Sequence, residues 1–366
     1  MKNACCALFA LSLVGGTMTR SSQAQDHKSY LIPASAAHTQ ALSGSPAGDR
    51  SAAMDLIGHE QLVQSDDFSN AVSGCCETAC GCESACGGCG NGCGCGCNGC
   101  AFRSDHAFCR FIEPITNPCY FVDPRSMTRL RVLFLNQMIP ENSILAGGDY
   151  QLYAAQASVA LNERFSIIAQ KDGYITLQPD SGPNEEGWGD LSAGIKYVIV
   201  RDPCNQFIMS GGVIYEWSNG SRDVFQGNGD GMWNFFLSAG KELGRAHFIG
   251  NVGYHQPNNN NQESTWMHYS LHLDYMLTDR LYFVCEHTGI TYTKSGRRLP
   301  GVNMEGGDLI NLGAGDVAGN YVATMAVGGT YVLSQHVHLG AAYEFPVTGR
   351  EDLLDNRTTA FLSLIY

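Results

Sequence analysis

Ten of the sixteen cysteines crowd into residues 75–100: Cys75, Cys76, Cys80, Cys82, Cys86, Cys89, Cys93, Cys95, Cys97 and Cys100. Spacings such as Cys86-x-x-Cys89, Cys97-x-x-Cys100 and Cys93-x-Cys95-x-Cys97 suit thiolate clusters around a soft metal. In an oxidising compartment the same thiols close into disulfides. They would also serve to crosslink other envelope proteins. All three readings stand at this point. Farther along, Cys109 and Cys119 are spaced to close a small loop. Cys204, in a short turn, is placed to pair with the preceding leader, and Cys285 reads as a plain apolar residue.

Other chemistry is thinner. Ser270 lies between His268 and His272, and a nucleophile needs a positioned base. Neighbours two apart in a strand share a face without fixing a serine–histidine hydrogen bond, so water-facing polar residues are the simpler account. Asp223 and Asp230, in a Gly/Asn-rich stretch, have oxygen ligands to offer calcium, but such runs more often make turns. No phosphate-cradling glycine loop of the P-loop kind occurs. The chain therefore shows no catalytic constellation and calls for no cofactor.

The elements that would position these residues come from period-two patterning. In one run Met267, Tyr269, Leu271, Leu273, Tyr275 and Leu277 face one way, and His268, Ser270, His272 and Asp274 the other. Similar alternation recurs about twelve times from residue 127 to Tyr366, the signature of an antiparallel transmembrane β-barrel of about twelve strands. The second face is small or polar, as befits a lumen, and aromatics gather near the run ends as in membrane-interface girdles. A mean hydropathy of −0.12 agrees, since a barrel hides its lipid face in every second residue. No stretch approaches the length of a transmembrane helix.

The connections alternate short and long. Short ones fall at 162–164, 202–205, 243–245, 278–280 and 334–335. Long ones span 139–148, 178–188, 219–231, 256–264, 294–320 and 346–356. Outer-membrane barrels keep short periplasmic turns and long external loops, so the expected placement is the outer membrane with both termini periplasmic. Residues 1–24 read as a cleaved signal peptide, with Lys2 ahead of a short apolar core and Ser22-Gln23-Ala24 at the cut. Residues 25–74 read as a polar, mostly disordered leader, with some helical spacing over 50–63. The Cys/Gly-rich segment 75–100 has no apolar core of its own. Residues 101–126, with Phe102, Phe108, Phe111, Tyr120 and Phe121, are too aromatic for a free linker and should form a plug or a rim segment on the barrel, residues 127–366.

Parity assigns the lumen candidates: Arg129, Arg131, Lys196, Glu216, His268, His272, Asp274, Glu286 and Glu344. Buried charges want partners, and a charged constriction would select solutes. Twelve strands fall between barrels that side chains fill and those with open channels, so the lumen should be narrow or plugged. Leu362, Leu364 and Tyr366 form an apolar face ending on the last residue, an expected assembly signal for the barrel-assembly machinery. Leu362 and Leu364 should face lipid at mid-depth. The net charge of −13 argues against nucleic acid as a partner.

Several runs resemble the MetA-pathway phenol-degradation family of outer-membrane proteins. They are residues 188–197 (WGDLSAGIKY), 235–244 (FFLSAGKELG), 250–254 (GNVGY), 269–286 with its Leu277-Thr278-Asp279-Arg280 turn, and the tail 339–366. The resemblance covers about residue 127 to the end, and the Cys-rich segment departs from it. It implies a channel admitting small hydrophobic or aromatic compounds, and carries no catalytic residues. The expected function is thus an outer-membrane channel for small solutes. The alternative is a surface-anchoring protein whose leader crosslinks or binds metal.

Overall fold

A strand that alternates large apolar with polar side chains can satisfy lipid and water at once only if its sheet closes on itself. The computed structural model describes residues 102–366. The expected signal peptide, leader, helical stretch and Cys-rich segment lie outside the described residues.

Fourteen strand segments follow the chain: β1 (Arg129–Met138), β2 (Gly148–Ala160), β3 (Phe165–Lys171), β4 (Tyr174–Pro179), β5 (Glu185–Trp188), β6 (Leu191–Asp202), β7 (Phe207–Trp217), β8 (Met232–Leu243), β9 (Ala246–Pro257), β10 (Thr265–Met276), β11 (Leu281–Lys294), β12 (Tyr321–Ser334), β13 (Val337–Pro346) and β14 (Asn356–Ile365). They make twelve staves. β2 pairs with β3 over its last residues and with β4 over its first, so β3 and β4 are one stave broken at Asp172-Gly173. β5 and β6 are likewise one stave, broken at Gly189-Asp190. Gly173 has φ +127°, and a Cβ there would sit 2.5 Å from the Tyr153 carbonyl oxygen, so only glycine fits the break. The Asp172 carboxylate accepts the Ala155 N–H at 3.1 Å and satisfies backbone that the ladder abandons.

Neighbouring staves pair antiparallel, and β1 closes the ring on β14, with Arg129 opposite Ile365 and Met138 opposite Asn356. The fold is a closed twelve-strand antiparallel barrel. Large apolar side chains point outward and are exposed, among them Phe235, Leu237, Val252 and Leu271. Their alternating partners are buried.

The connections sort by end. The loops after β1, β4, β7, β9, β11 and β13 gather at one end, and the turns after β2, β6, β8, β10 and β12 at the other. The loop expected over 178–188 shrinks to 180–184, because Leu177 pairs with Glu185 and Tyr174 with Trp188 in a hairpin. A second correction concerns depth. Leu364 pairs with Leu130 and Val337, at the starts of β1 and β13, so it sits near the short-turn end and not at mid-depth.

The inward face is less polar than the sequence pattern suggests. Leu133, Leu135, Tyr150, Leu152, Ile175 and Leu177 are buried in an apolar cluster toward the long-loop end. A smaller one, with Phe108, Phe111, Phe121, Val198, Ile208 and Ile249, lies toward the short turns. Both contain residues of the 102–126 segment, which supplies the matching apolar surface.

Candidate functional site

Residues 102–126 hold only one turn of 3-10 helix, His106–Phe108, capped by the Asp105 carboxylate on the Ala107 N–H. So irregular a segment must find its backbone partners elsewhere. It starts at the short-turn end. The Phe102 N–H donates to the Ala160 carbonyl and the Ser104 N–H to the carbonyl of Tyr366, both at 2.9 Å. The Arg201 guanidinium holds Asp105 through two bonds of 2.8 and 3.0 Å, and Gln206 donates to the Ala107 carbonyl.

The chain then climbs into the lumen, turns at Asn117 (φ 46°) and descends. Its two limbs are tied together by Arg125, which pairs with Asp123 at 2.6 Å and donates to the Phe111 carbonyl at 2.8 Å. The wall grips the segment from all round. Glu286 on β11 accepts the N–H groups of Ile115 and Thr116. Asn117 donates to Ser270 on β10, and Gln156 on β2 donates to the Pro118 carbonyl. Tyr120 donates to Glu216 on β7 at 2.8 Å. Ser238 on β8 donates to the Val122 carbonyl, and the Lys196 ammonium on β6 donates to the carbonyls of Asp123 and Arg125, all at 2.6 Å. Only a position inside the ring reaches all of these strands.

Every lumen candidate carries a buried side chain, none more than 7% exposed. Arg129 forms an ion pair with Glu113 of the segment. Arg131 lies over the Phe361 ring, 4.2 Å from its centroid. Glu216 also takes the Lys171 ammonium at 2.6 Å. His268 meets Asn251 and His255 at 2.7 and 2.9 Å. His272 sits between Glu286 (2.6 Å) and Asp274 (3.2 Å), and Asp274 meets His247 at 2.6 Å. Glu344 accepts from Thr324 at 2.6 Å and from Arg357 at 3.3 Å. Charges taken out of water are tolerable only when paired in this way.

Ser270 shares a hydrogen bond with Thr288 and accepts one from Asn117; neither histidine serves it as a base. Asp223 accepts from Ser221, and Asp230 from Asn259. The expected Cys109–Cys119 loop does not form: Cys109 is disulfide-bonded, while Cys119 is free and buried inside the barrel. Cys204 is also free, so its expected pairing with the leader is not made. Cys204 is exposed in the short turn after β6.

Sequence reasoning did not single out Lys171, His247, His255, Asp308 or Arg357. The parity that placed His268 inward applies equally to His247 and His255 on β9, and that of Leu362 and Leu364 makes Arg357 inward. Asp308 sits in a loop, where no periodicity points to it.

The long-loop end is closed as well. Loop 295–320 folds back so that Glu305, fully buried, accepts from the Leu312 and Ala314 N–H groups and from the Ser264 hydroxyl. It touches its neighbours in turn. The Gln226 amide donates to the Leu309 carbonyl, and Arg350 to the Asn303 carbonyl. Arg357 is bidentate on Asp308 at 2.7 and 3.1 Å. Leu309, Ile310 and Leu312 pack in the same cluster as Ile115 and Tyr120 of the inner segment. Burial, helped by Glu216, pushes the Glu263 carboxyl in the adjoining loop up to about 8.

No protein-family model matches the chain, and no curated protein matches it. Among solved structures the chain is similar to an outer membrane channel from Pseudomonas putida F1. Identity is 10% over 70% of this chain and 100% of that one, with a TM-score of 0.50. It is also similar to the NanC porin (10% identity, 65% and 98% coverage, TM-score 0.43). The KdgM porin in complex with disordered oligogalacturonate gives 10% identity, 65% and 99% coverage and a TM-score of 0.38. What the first of these shares with this chain is the fold.

Proposed function

We propose that the protein is an outer-membrane channel for small solutes, closed at rest by its own residues 102–126 from one end and by loop 295–320 from the other. The observation that carries this reading is the nature of the filling. A barrel kept only as an anchor can fill its interior with wall side chains, whereas here a separable stretch of chain fills it, held by polar contacts from the wall and packed in apolar clusters with it. The polar contacts exchange for water once the stretch leaves.

The exposed apolar wall supports insertion in lipid, and the sorting of loops supports long loops outside and short turns, leader and both termini in the periplasm. That the solutes are hydrophobic or aromatic is an expectation from the phenol-degradation family resemblance, and a cleaved signal peptide from the N-terminal pattern. Barrel-assembly machinery would insert the chain, and disulfide-linked envelope proteins are the partners proposed for the Cys-rich leader.

Planar-bilayer conductance tests the reading. Chain lacking residues 25–100 should stay nearly silent, and chain lacking residues 25–126 should open stable pores. Silence of both, with each barrel inserted, would favour the anchoring alternative.

A further inference from the structure

The buried carboxylates of the wall are matched by cations of the wall itself. Glu216 has Lys171, Asp274 lies between His247 and His272, and Glu286 holds His272. Glu344 shares Arg357 with Asp308 of loop 295–320. Among the described residues, three inward cations have no wall carboxylate bound to them: Arg129 and Arg131 on β1, and Lys196 on β6. Arg129 pairs with Glu113, and the Lys196 ammonium is held by the carbonyls of Asp123 and Arg125, all on the inner segment. Arg131 donates to the Ile115 carbonyl at 3.5 Å and lies against the face of the Phe361 ring, and neither is a counter-ion. The Nε groups of both arginines are buried with no acceptor.

The three cations share one side of the lumen, because β1, β2, β3 and β6 are neighbours in the ring. Between Arg129 and Lys196 the inward polar side chains are amides and hydroxyls such as Gln156, Ser158, Ser166 and Gln170. No buried side chain on these four strands is a carboxylate. The carboxylates whose charge reaches Arg131 are Asp123 of the segment and Glu286 on β11, which is already bound to His272. Withdrawal of the segment takes away Glu113, Asp123 and Arg125 and leaves all three wall cations behind. Charges left buried and unpaired are costly, so water or a solute anion must meet them in the opened lumen.

The segment itself shows what shape of anion fits. Glu113 brings a carboxylate to Arg129. Two residues on, Ile115 packs in the apolar cluster that contains Leu133 and Phe361. Leu133 and Phe361 pair across β1 and β14, and Leu133 is the next inward position on β1 after Arg131. A carboxylate and an apolar body are thus received side by side. Guanidinium meets carboxylate through paired N–H donors and sheds its water more easily than an ammonium does. A cation would be repelled here, and a neutral solute would leave the charges unmet.

We infer that the opened lumen binds small organic carboxylates with an apolar body, the carboxylate on Arg129 and Arg131 and the body on Leu133 and Phe361. Lys196 strengthens the field that draws the anion in. Glu113 and Ile115 occupy this place in the closed barrel, so such a solute competes with the segment. The inference rests on the reading of residues 102–126 as a movable closure.

Cys119 reports the displacement, being carried on the segment, free, and only 3% exposed. In the full chain folded in detergent, its labelling by N-ethylmaleimide is followed on the tryptic peptide 111–125, which holds no other cysteine. At constant ionic strength benzoate should speed labelling saturably, and benzyl alcohol and benzylammonium should not. Arg131→Gln should raise the half-saturating benzoate concentration about tenfold, the size for a charged hydrogen bond. Glu113→Gln removes the competitor and should lower that concentration. A segment merely loosened would label faster in both variants without moving the benzoate response in opposite directions. Heat-modifiability on gels verifies that each variant is folded. No benzoate effect, an equal effect of benzyl alcohol, or a wild-type response in Arg131→Gln would overturn the inference. If benzoate acts but the barrel lacking residues 25–126 stays silent in bilayers, the channel falls and the carboxylate site stands. If that barrel conducts and benzoate does nothing, the carboxylate class falls and the channel stands.

Discussion

A carboxylate that accepts from two peptide N–H groups, a hydroxyl and an imidazole has no lone pair left for water. Glu286 is in that position, holding Ile115, Thr116 and His272 at once. Replacing it by Gln keeps the shape but removes the charge and turns one acceptor into a donor facing donors. The loss should be about 1.5–3 kcal/mol of hold on the inner segment. In bilayers Glu286→Gln should open roughly tenfold to a hundredfold more often than wild type. An unchanged opening rate would remove Glu286 as the main anchor.

Glu263 allows a prediction in pH. Its folded value, about 8, lies above the ordinary 4.5, so the folded loop binds the proton more tightly than the open one. For an acid shifted this way, the stabilisation is full below about pH 4.5. It then declines up to about pH 8 and levels off beyond. Hydrogen exchange in loop 258–264, corrected for intrinsic rates, should rise across that window in wild type and lose the slope in Glu263→Gln. Equal slopes would show that another group sets the loop's stability.

At the scale of elements, lipid exposure depends on depth as well as on parity. Leu237 lies mid-strand on β8, opposite Gly211 and Val252, and points outward. Leu364 points outward too, but near the short-turn end. Leu237→Arg should cost about 2–4 kcal/mol of barrel stability, and Leu364→Arg about 0–1 kcal/mol. Urea unfolding in lipid vesicles measures both, and equal costs would contradict the depth order.

The staves were largely legible beforehand for the same reason. Alternation on β10 and β14 assigns each side chain a face, and turns such as Thr278-Asp279-Arg280 mark where strands end. The break at Asp172-Gly173 was not legible, because it depends on β2 changing partners partway along. The inner hairpin was legible only as aromatic residues needing cover. Its path is set by backbone groups of Ile115, Thr116 and Pro118, and main-chain contacts leave no trace in residue types. Asp308 was invisible because loops have no period.

For the molecule as a whole, the two ends differ in kind. One is built from tight turns and the start of the inner segment, and the other from loops folded over one another. If the long-loop end is external, a tag between residues 258 and 264 should be reached by antibody on intact cells, and a tag at Asp279 only after the outer membrane is breached. The opposite labelling would invert the proposed topology.

The hydrogen bond from the Ser104 N–H to the Tyr366 carbonyl joins the beginning of the inner segment to the last residue of the chain. Tyr366 itself donates to the Thr128 carbonyl beside β1. The clasp at the root of the inner segment therefore does not exist until β14 has met β1. A partly assembled ring offers some of the grips on Ile115, Tyr120 or Val122, but not the clasp at its root. Closing the ring and seating the inner segment are thus coupled: a barrel in which β14 misses β1 leaves the Ser104 N–H without its acceptor.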